Sequence, residues 1–176
     1  TATTYEDRTA DYIGLHDSAT TFLQSVELPL DNDPPPAGYR DTWGPHAARW
    51  WWTRISDTGL KGAIAFSPVG RPEAVEDILI ITADDDPCQK GVTWNGSNWV
   101  FTESGIFEIA GTGPFLARRV FGAPGTTEPL TVIPTPYGIA YLAHDGVRLF
   151  NGVQSSLVGF DALGLIFRGE GLDGLA

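Results

Sequence analysis

The sequence predicts an all-β protein, and three observations lead to that prediction. The 176 residues include 21 glycines and 13 prolines, a combined share well above the usual ~12%, which indicates many turns. Short segments rich in aromatic and β-branched residues lie between the turns, as half-buried strands require. Tight polar turns that end in glycine join neighbouring segments. We therefore expect negligible helix.

Seven segments are predicted to be strands because aromatic and β-branched residues dominate them. In chain order they are 49–55 (RWWWTRI), 77–82 (DILIIT), 97–103 (SNWVFTE), 105–110 (GIFEIA), 130–134 (LTVIP), 138–143 (GIAYLA) and 146–150 (GVRLF). The turns SDTG, ESG and HDG end at Gly59, Gly105 and Gly146, where a hairpin favours positive φ. The β-hairpin is the predicted repeating unit.

The hairpins recur at a regular spacing along the chain. A shift of 41 residues places Gly105 on Gly146 and Phe101 on Leu142, and Gly59 marks a weaker copy 46 residues before Gly105. Periods of ~40 to 50 residues with four strands each are typical of β-propeller blades, and closed propellers use ~4 to 8 of them. We expect a β-propeller-like array of antiparallel hairpin blades in an incomplete ring, with a β-sandwich as the alternative.

Three regions are predicted along the chain. Residues 1–48 form an irregular N-terminal segment with a stiff connector at 31–38 (DNDPPPAG), because successive prolines fix the backbone and lack amide donors. Residues 49–159 hold the blades, and residues 160–176 form a C-terminal tail that leads to a missing continuation. Methionine is absent even at position 1, so we expect a fragment or a processed product.

The charge balance excludes several classes of partner. Eleven Lys and Arg against 22 Asp and Glu give a net charge of −11, which repels phosphate and anionic lipid. Neither nucleic acid nor a membrane is therefore an expected partner. The single cysteine, Cys88, has no disulfide partner within the chain and cannot build a cysteine-based metal site. We expect it to be an inert thiol.

Two longer phrases carry a family resemblance. Residues 91–115 (GVTWNGSNWVFTESGIFEIAGTGPF) and 134–152 (PTPYGIAYLAHDGVRLFNG), preceded by the proline-rich connector and the RWWWTRI strand, resemble propeller-like structural proteins in the tails or necks of tailed bacteriophages. The resemblance covers residues 31–168 approximately. It implies a virion component that acts as a scaffold or adaptor, that contacts other virion proteins or copies of itself, and that has no family active site.

Acidic side chains are the weak candidates for a metal site or a catalytic site. Asp84, Asp85 and Asp86 crowd one loop after a strand, where carboxylate oxygens suit a cation such as Ca²⁺; a solvated acidic loop is the alternative. Glu103 and Asp145 occupy aligned repeat turns, whereas a glycosidase needs two carboxylates facing each other across a cleft. Their repeat-related placement favours duties in the turns, so we expect no enzyme, no cofactor and no metal.

The triplet Trp50, Trp51 and Trp52 is the sharpest candidate for binding. Strand alternation sends Trp50 and Trp52 to one face of a sheet and Trp51 to the other. An exposed Trp51 would anchor a protein or a sugar, because large aromatic side chains dominate contact energies. Burial between adjacent sheets is the alternative. A carbohydrate-binding or carbohydrate-active module is therefore the second functional class, beside the virion scaffold.

Overall fold

The chain folds into three four-stranded antiparallel sheets, as the computed structural model shows for Pro35 and residues 38–158, which it describes. The one helical element of this part of the chain is a short 3-10 turn, Pro129–Thr131. The described residues contain no helix that is long and apolar enough to cross a membrane. The predicted all-β fold is confirmed, with three sheets where a β-sandwich would have two. The predicted tail at 160–176 and most of the proline-rich connector lie outside the described residues.

The first sheet contains β1 (Asp41–His46), β2 (Arg49–Thr53), β3 (Ala63–Phe66) and β4 (Asp77–Ile80), hydrogen-bonded in that order. Strand β1 lies inside the region predicted to be irregular, so the predicted boundary at residue 49 is too late. The reason is local: Gly44 and Pro45 sit within β1, where the register shifts, and this dipeptide ordinarily indicates a turn.

The second and third sheets repeat the same meander. The second contains β5 (Cys88–Trp94), β6 (Ser97–Thr102), β7 (Ile106–Ala110) and β8 (Leu116–Arg119); the third contains β9 (Ile133–Thr135), β10 (Gly138–Ala143), β11 (Gly146–Phe150) and β12 (Ser155–Leu157). The 41-residue shift lays β6 on β10, residue for residue. The sequence repeat therefore corresponds to equivalent strands of successive blade-like sheets.

The glycines of the three repeat turns serve different purposes. Gly59 and Gly146 have φ values of +88° and +131°, which favour glycine as predicted. Gly105 does not have a positive φ, so that part of the prediction is wrong. A side chain at Gly105 would instead begin 3.2 Å from Nε of Arg119 and 3.6 Å from the carbonyl oxygen of Ala123. Glycine at this position leaves room for the Arg119 side chain.

The sheets stack face to face, and two apolar clusters fill the interfaces. Between the first and second sheets lie Trp43, Trp51, Ile64, Phe66, Cys88, Val100 and Ile109. Between the second and third lie Val92, Trp99, Phe101, Ile106, Ala123, Val132, Ile139, Tyr141, Ala143 and Phe150. Successive residues of β6 thus face opposite interfaces, as strand geometry requires. Within residues 38–158, no buried cluster joins the first sheet to the third.

The face of the third sheet that points away from the second is apolar and only partly buried. Register pairs place Ala140 beside Leu149 and Leu142 beside Val147 on this face, and all four are partly accessible to solvent. Ile133, opposite Ala140, is 56% exposed. We call these five residues the outer face. The residues that alternate with them along β10 are buried against the second sheet.

Candidate functional site

Trp51 is fully buried, so the structure contradicts its predicted role as an exposed anchor. Its indole packs between the first and second sheets, with ring centroids 5.3 Å from Phe66 and 4.8 Å from Phe115. It also stacks on Trp43 across the strand pair, at 6.1 Å. The alternative, burial between adjacent sheets, is the arrangement found, because both faces of β2 are covered: Trp52, on the opposite face, is also buried.

The loop that contains Asp84, Asp85 and Asp86 links the first sheet to the second. The carboxylate of Asp84 accepts hydrogen bonds from two backbone amides of the β2–β3 turn, those of Gly59 and Lys61, the second at 3.0 Å. Asp84 therefore fixes the turn of the sheet that precedes it.

Asp86 fixes the turn of the sheet that follows. Its carboxylate accepts hydrogen bonds from the amide and hydroxyl of Ser104, at 2.8 and 2.5 Å, and from the hydroxyl of Thr102, at 3.1 Å. Asp85, between the two, is exposed. The three carboxylates do not converge, and residues 38–158 contain no group of three His, Cys, Asp or Glu side chains arranged to hold a metal ion.

Glu103 and Asp145 occupy equivalent turns but have different partners. Glu103 is exposed and accepts a 2.9 Å hydrogen bond from Nε2 of Gln89. Asp145 instead forms an ion pair with Arg148 and lies in a groove between the second and third sheets. The two carboxylates do not line one cleft in the way that a glycosidase pair would.

The groove between the second and third sheets has a volume of about 770 Å³. The turns of both sheets and the connection after β8 supply its walls. Its charged and aromatic lining consists of Arg119, Phe121, His144, Asp145 and Arg148. Cationic groups therefore gather here in a chain whose net charge is −11.

Arg148 and Asp145 form the fixed part of the groove. Two guanidinium nitrogens of Arg148 donate to the two carboxylate oxygens of Asp145, at 2.8 and 2.6 Å, and a third donates to the carbonyl oxygen of Ser155 at 3.0 Å. The bidentate hydrogen bonds from Arg148 lower the pKa of Asp145, and the same pairing raises the pKa of Arg148. Asp145 is therefore held as a carboxylate and is poorly suited to donate a proton.

The hydroxyl of Tyr141 links the third sheet to the connection that precedes it, next to the groove. It donates a 2.8 Å hydrogen bond to the carbonyl oxygen of Pro124, in the connection between the sheets, and lies 2.6 Å from the hydroxyl oxygen of Ser155. Burial raises the pKa of the Tyr141 phenol, which keeps it protonated and able to donate. Hydrogen bonds from Tyr141 and Arg148 to the backbone carbonyl oxygens of Pro124 and Ser155 therefore hold this side of the groove in place.

Arg119 and Phe121 are the groups of the groove that have contact capacity left for a ligand. Nη2 of Arg119 donates to the carbonyl oxygen and the hydroxyl of Ser104, at 3.2 and 3.4 Å, while its Nε and Nη1 have no hydrogen-bond partner among residues 38–158. The guanidinium carbon lies 5.9 Å from the ring centroid of Phe107. The side chain of Phe121 is 100% exposed. A charged donor and an aromatic ring therefore face solvent together.

Two smaller cavities of about 260 and 230 Å³ lie at the first sheet. In the first, the guanidinium of Arg49 is paired with Glu76 and lies over the rings of Phe66 and Phe115, so its charge is already compensated. The second borders Cys88, whose pKa burial raises to about 12. The thiol is therefore almost entirely protonated at neutral pH, which makes it a poor nucleophile.

No protein-family model matches the chain, and no curated protein matches it significantly.

Sequence reasoning missed Arg119 and Phe121. The signal that was present is the pair Arg118 and Arg119 followed closely by Phe121, in a strongly acidic chain. The sequence alone does not indicate that this segment meets His144 and Arg148. Only the stacking of the second sheet on the third brings them together.

Proposed function

We propose that this protein is a structural component of a tailed-bacteriophage virion, where it acts as a scaffold in the tail or neck by binding neighbouring protein subunits. The observation that carries the proposal is the apolar outer face of the third sheet, which is only partly buried and on which Ile133 is 56% exposed. The phrases at residues 91–115 and 134–152 support the virion setting by resemblance.

The sequence repeat supports a partner on the outer face. The 41-residue shift pairs Ala140 with Trp99 and Leu142 with Phe101, and both of these second-sheet aromatics are buried against the third sheet. The outer face is therefore the equivalent of a face that this protein buries one sheet earlier. Burying apolar area contributes roughly 25 cal/mol per Å², so covering this face is favourable.

The surface fits a protein partner in shape and chemistry. It is a flat sheet face of aliphatic side chains, and the surfaces that cover such faces elsewhere in this chain are four-stranded sheets. A blade-like sheet of an adjoining virion subunit, either another protein or a second copy of this chain, is the occupant that matches. The net charge of −11 disfavours nucleic acid.

The proposed contact surface can be tested by labelling a single introduced cysteine. Cys88 is the only cysteine in the chain and is buried, so one introduced thiol is the sole accessible one on this protein. Ser156 is exposed and lies opposite Leu149 on the outer side of the third sheet. Val69, 60% exposed in a loop of the first sheet, is the matched control. Phages carrying Ser156→Cys or Val69→Cys are purified and treated with a maleimide.

We expect stoichiometric amounts of the chain in the particles, protection of the Ser156→Cys thiol and full reaction of the Val69→Cys thiol. In the isolated chain both thiols should react at similar rates. Absence of the chain from purified particles would overturn the virion assignment. Equal reactivity of the two thiols within particles would overturn the outer face as the contact surface.

A further inference from the structure

We propose that the groove between the second and third sheets binds an acidic sugar, with Arg119 pairing with the carboxylate and Phe121 stacking on the sugar ring. This inference is independent of the virion assignment, because it concerns a different surface from the outer face. The cavity volume of about 770 Å³ lies within the ~300 to 1,000 Å³ range of small-ligand sites.

The charge of the groove selects an anion. Asp145 is already neutralised by Arg148 at 2.6 Å, so the guanidinium of Arg119 is the uncompensated charge of the lining. Its Nε and Nη1 remain available for hydrogen bonds. A guanidinium offers parallel N–H donors that match the two oxygens of a carboxylate. A single carboxylate therefore fits this position.

Arg119 is held in place before any ligand binds. Its Nη2 is anchored on Ser104, its guanidinium lies near the ring of Phe107, and Gly105 leaves the space through which the side chain passes. The turn that carries Ser104 is in turn fixed by Asp86. Preorganisation of this kind reduces the entropy lost when a ligand binds.

Phe121 and the Arg148–Asp145 pair extend the match from a carboxylate to a sugar acid. A fully exposed phenyl ring gives a flat apolar surface that suits the C–H face of a pyranose ring. The carboxylate of Asp145 retains lone pairs that can accept hydrogen bonds from sugar hydroxyls. Neutral sugars lack the group that Arg119 selects, and simple carboxylates lack the ring that Phe121 contacts.

The experiment is calorimetric titration of the whole chain with the methyl glycosides of glucuronic acid and N-acetylneuraminic acid. Methyl glucoside tests the need for the carboxylate, and acetate tests the need for the ring. The variants are Arg119→Gln and Phe121→Ala, both at exposed positions. Arg118→Gln is the matched control, since Arg118 is equally exposed on the same strand and does not line the groove.

We expect at least one acidic glycoside to bind and its affinity to fall roughly tenfold or more in both groove variants, the size of effect for losing a charged hydrogen bond or a ring contact. Arg118→Gln should bind as the wild type does. The proposal is overturned if neither acidic glycoside binds, if methyl glucoside or acetate binds as tightly, or if either groove variant retains full affinity. Unchanged circular dichroism of each variant confirms that folding is intact.

Discussion

Nε1 of Trp43 donates a 2.6 Å hydrogen bond to Oδ1 of Asn98, and this buried contact joins the first sheet to the second. Trp43 also lies against Gly91, where an added side chain would begin 2.3 Å from the indole ring. The Nδ2 group of Asn98 has no hydrogen-bond partner in the described part of the chain. The stabilising contribution of Asn98 is therefore concentrated in this one acceptor.

The first prediction concerns that hydrogen bond. Asn98→Ala should lower the free energy of unfolding by ~1 to 3 kcal/mol, because it leaves a buried indole N–H without an acceptor. Combining Asn98→Ala with Trp43→Phe removes the indole N–H that would otherwise lack an acceptor. We expect the double variant to be more stable than the sum of the two single effects predicts, by about 1 kcal/mol. Urea unfolding measures all four proteins, and strict additivity would contradict a coupled pair.

The second prediction concerns the acidic loop. Asp86→Ala removes the acceptor for Ser104 and Thr102 and should cost ~1 to 3 kcal/mol in the free energy of unfolding. Asp85→Ala is the control: Asp85 is exposed, and its replacement should change stability by less than ~0.5 kcal/mol.

The same loop also predicts the response to cations. Since Asp84 and Asp86 are already used by two different turns, adding Ca²⁺ or a chelator should leave the midpoint of thermal unfolding unchanged. A rise of several degrees with Ca²⁺ that disappears in Asp85→Ala would show that the loop is a cation site after all.

The third prediction is a pH dependence from the pair of Asp145 and Arg148. The pKa of Asp145 is lowered from 3.8 by hydrogen bonding to Arg148. A carboxyl with a lowered pKa in the folded state contributes stability that is fully present above its unfolded pKa and is lost as the pH falls through its folded pKa. The stability difference between wild type and Asp145→Asn should be constant near neutral pH and should shrink below about pH 4. Urea unfolding across that range checks this, and a difference that does not change down to acidic pH would refute it.

The aromatic and β-branched strands could be read from the sequence, whereas the others could not. Strands β2, β4, β6, β7, β10 and β11 coincide with predicted segments, because their own side chains favour a pleated surface. Ala63–Phe66 is a four-residue strand in which Ile64 and Phe66 alternate with alanines, and Leu116–Arg119 contains no β-branched or aromatic residue. They form by pairing with a neighbouring strand, a signal that no short window of sequence contains.

The candidate site was harder to predict for a related reason. Trp51 was singled out by its residue type, but exposure depends on which sheets cover each face of β2. The turns that carry Glu103 and Asp145 were correctly aligned by the repeat, yet the groove depends on Arg119 and Phe121, which lie outside the repeated phrases. Residue type indicates which contacts a side chain can make, whereas the stacking of the sheets decides whether that side chain is exposed and which residues lie beside it.

The row of stacked sheets also sets how the described part of the protein comes apart. In a linear array whose units contact only their nearest neighbours, each unit is stabilised by its own pairing and by one interface term per neighbour. The second sheet has two such interfaces, and the third has one. The first sheet likewise has one, so partial unfolding should begin at a terminal sheet and reach the second sheet last. The backbone amides of β6 are therefore expected to exchange with solvent more slowly than those of the equivalent strand β10. A partner bound to the outer face would abolish that difference by giving the third sheet its second interface.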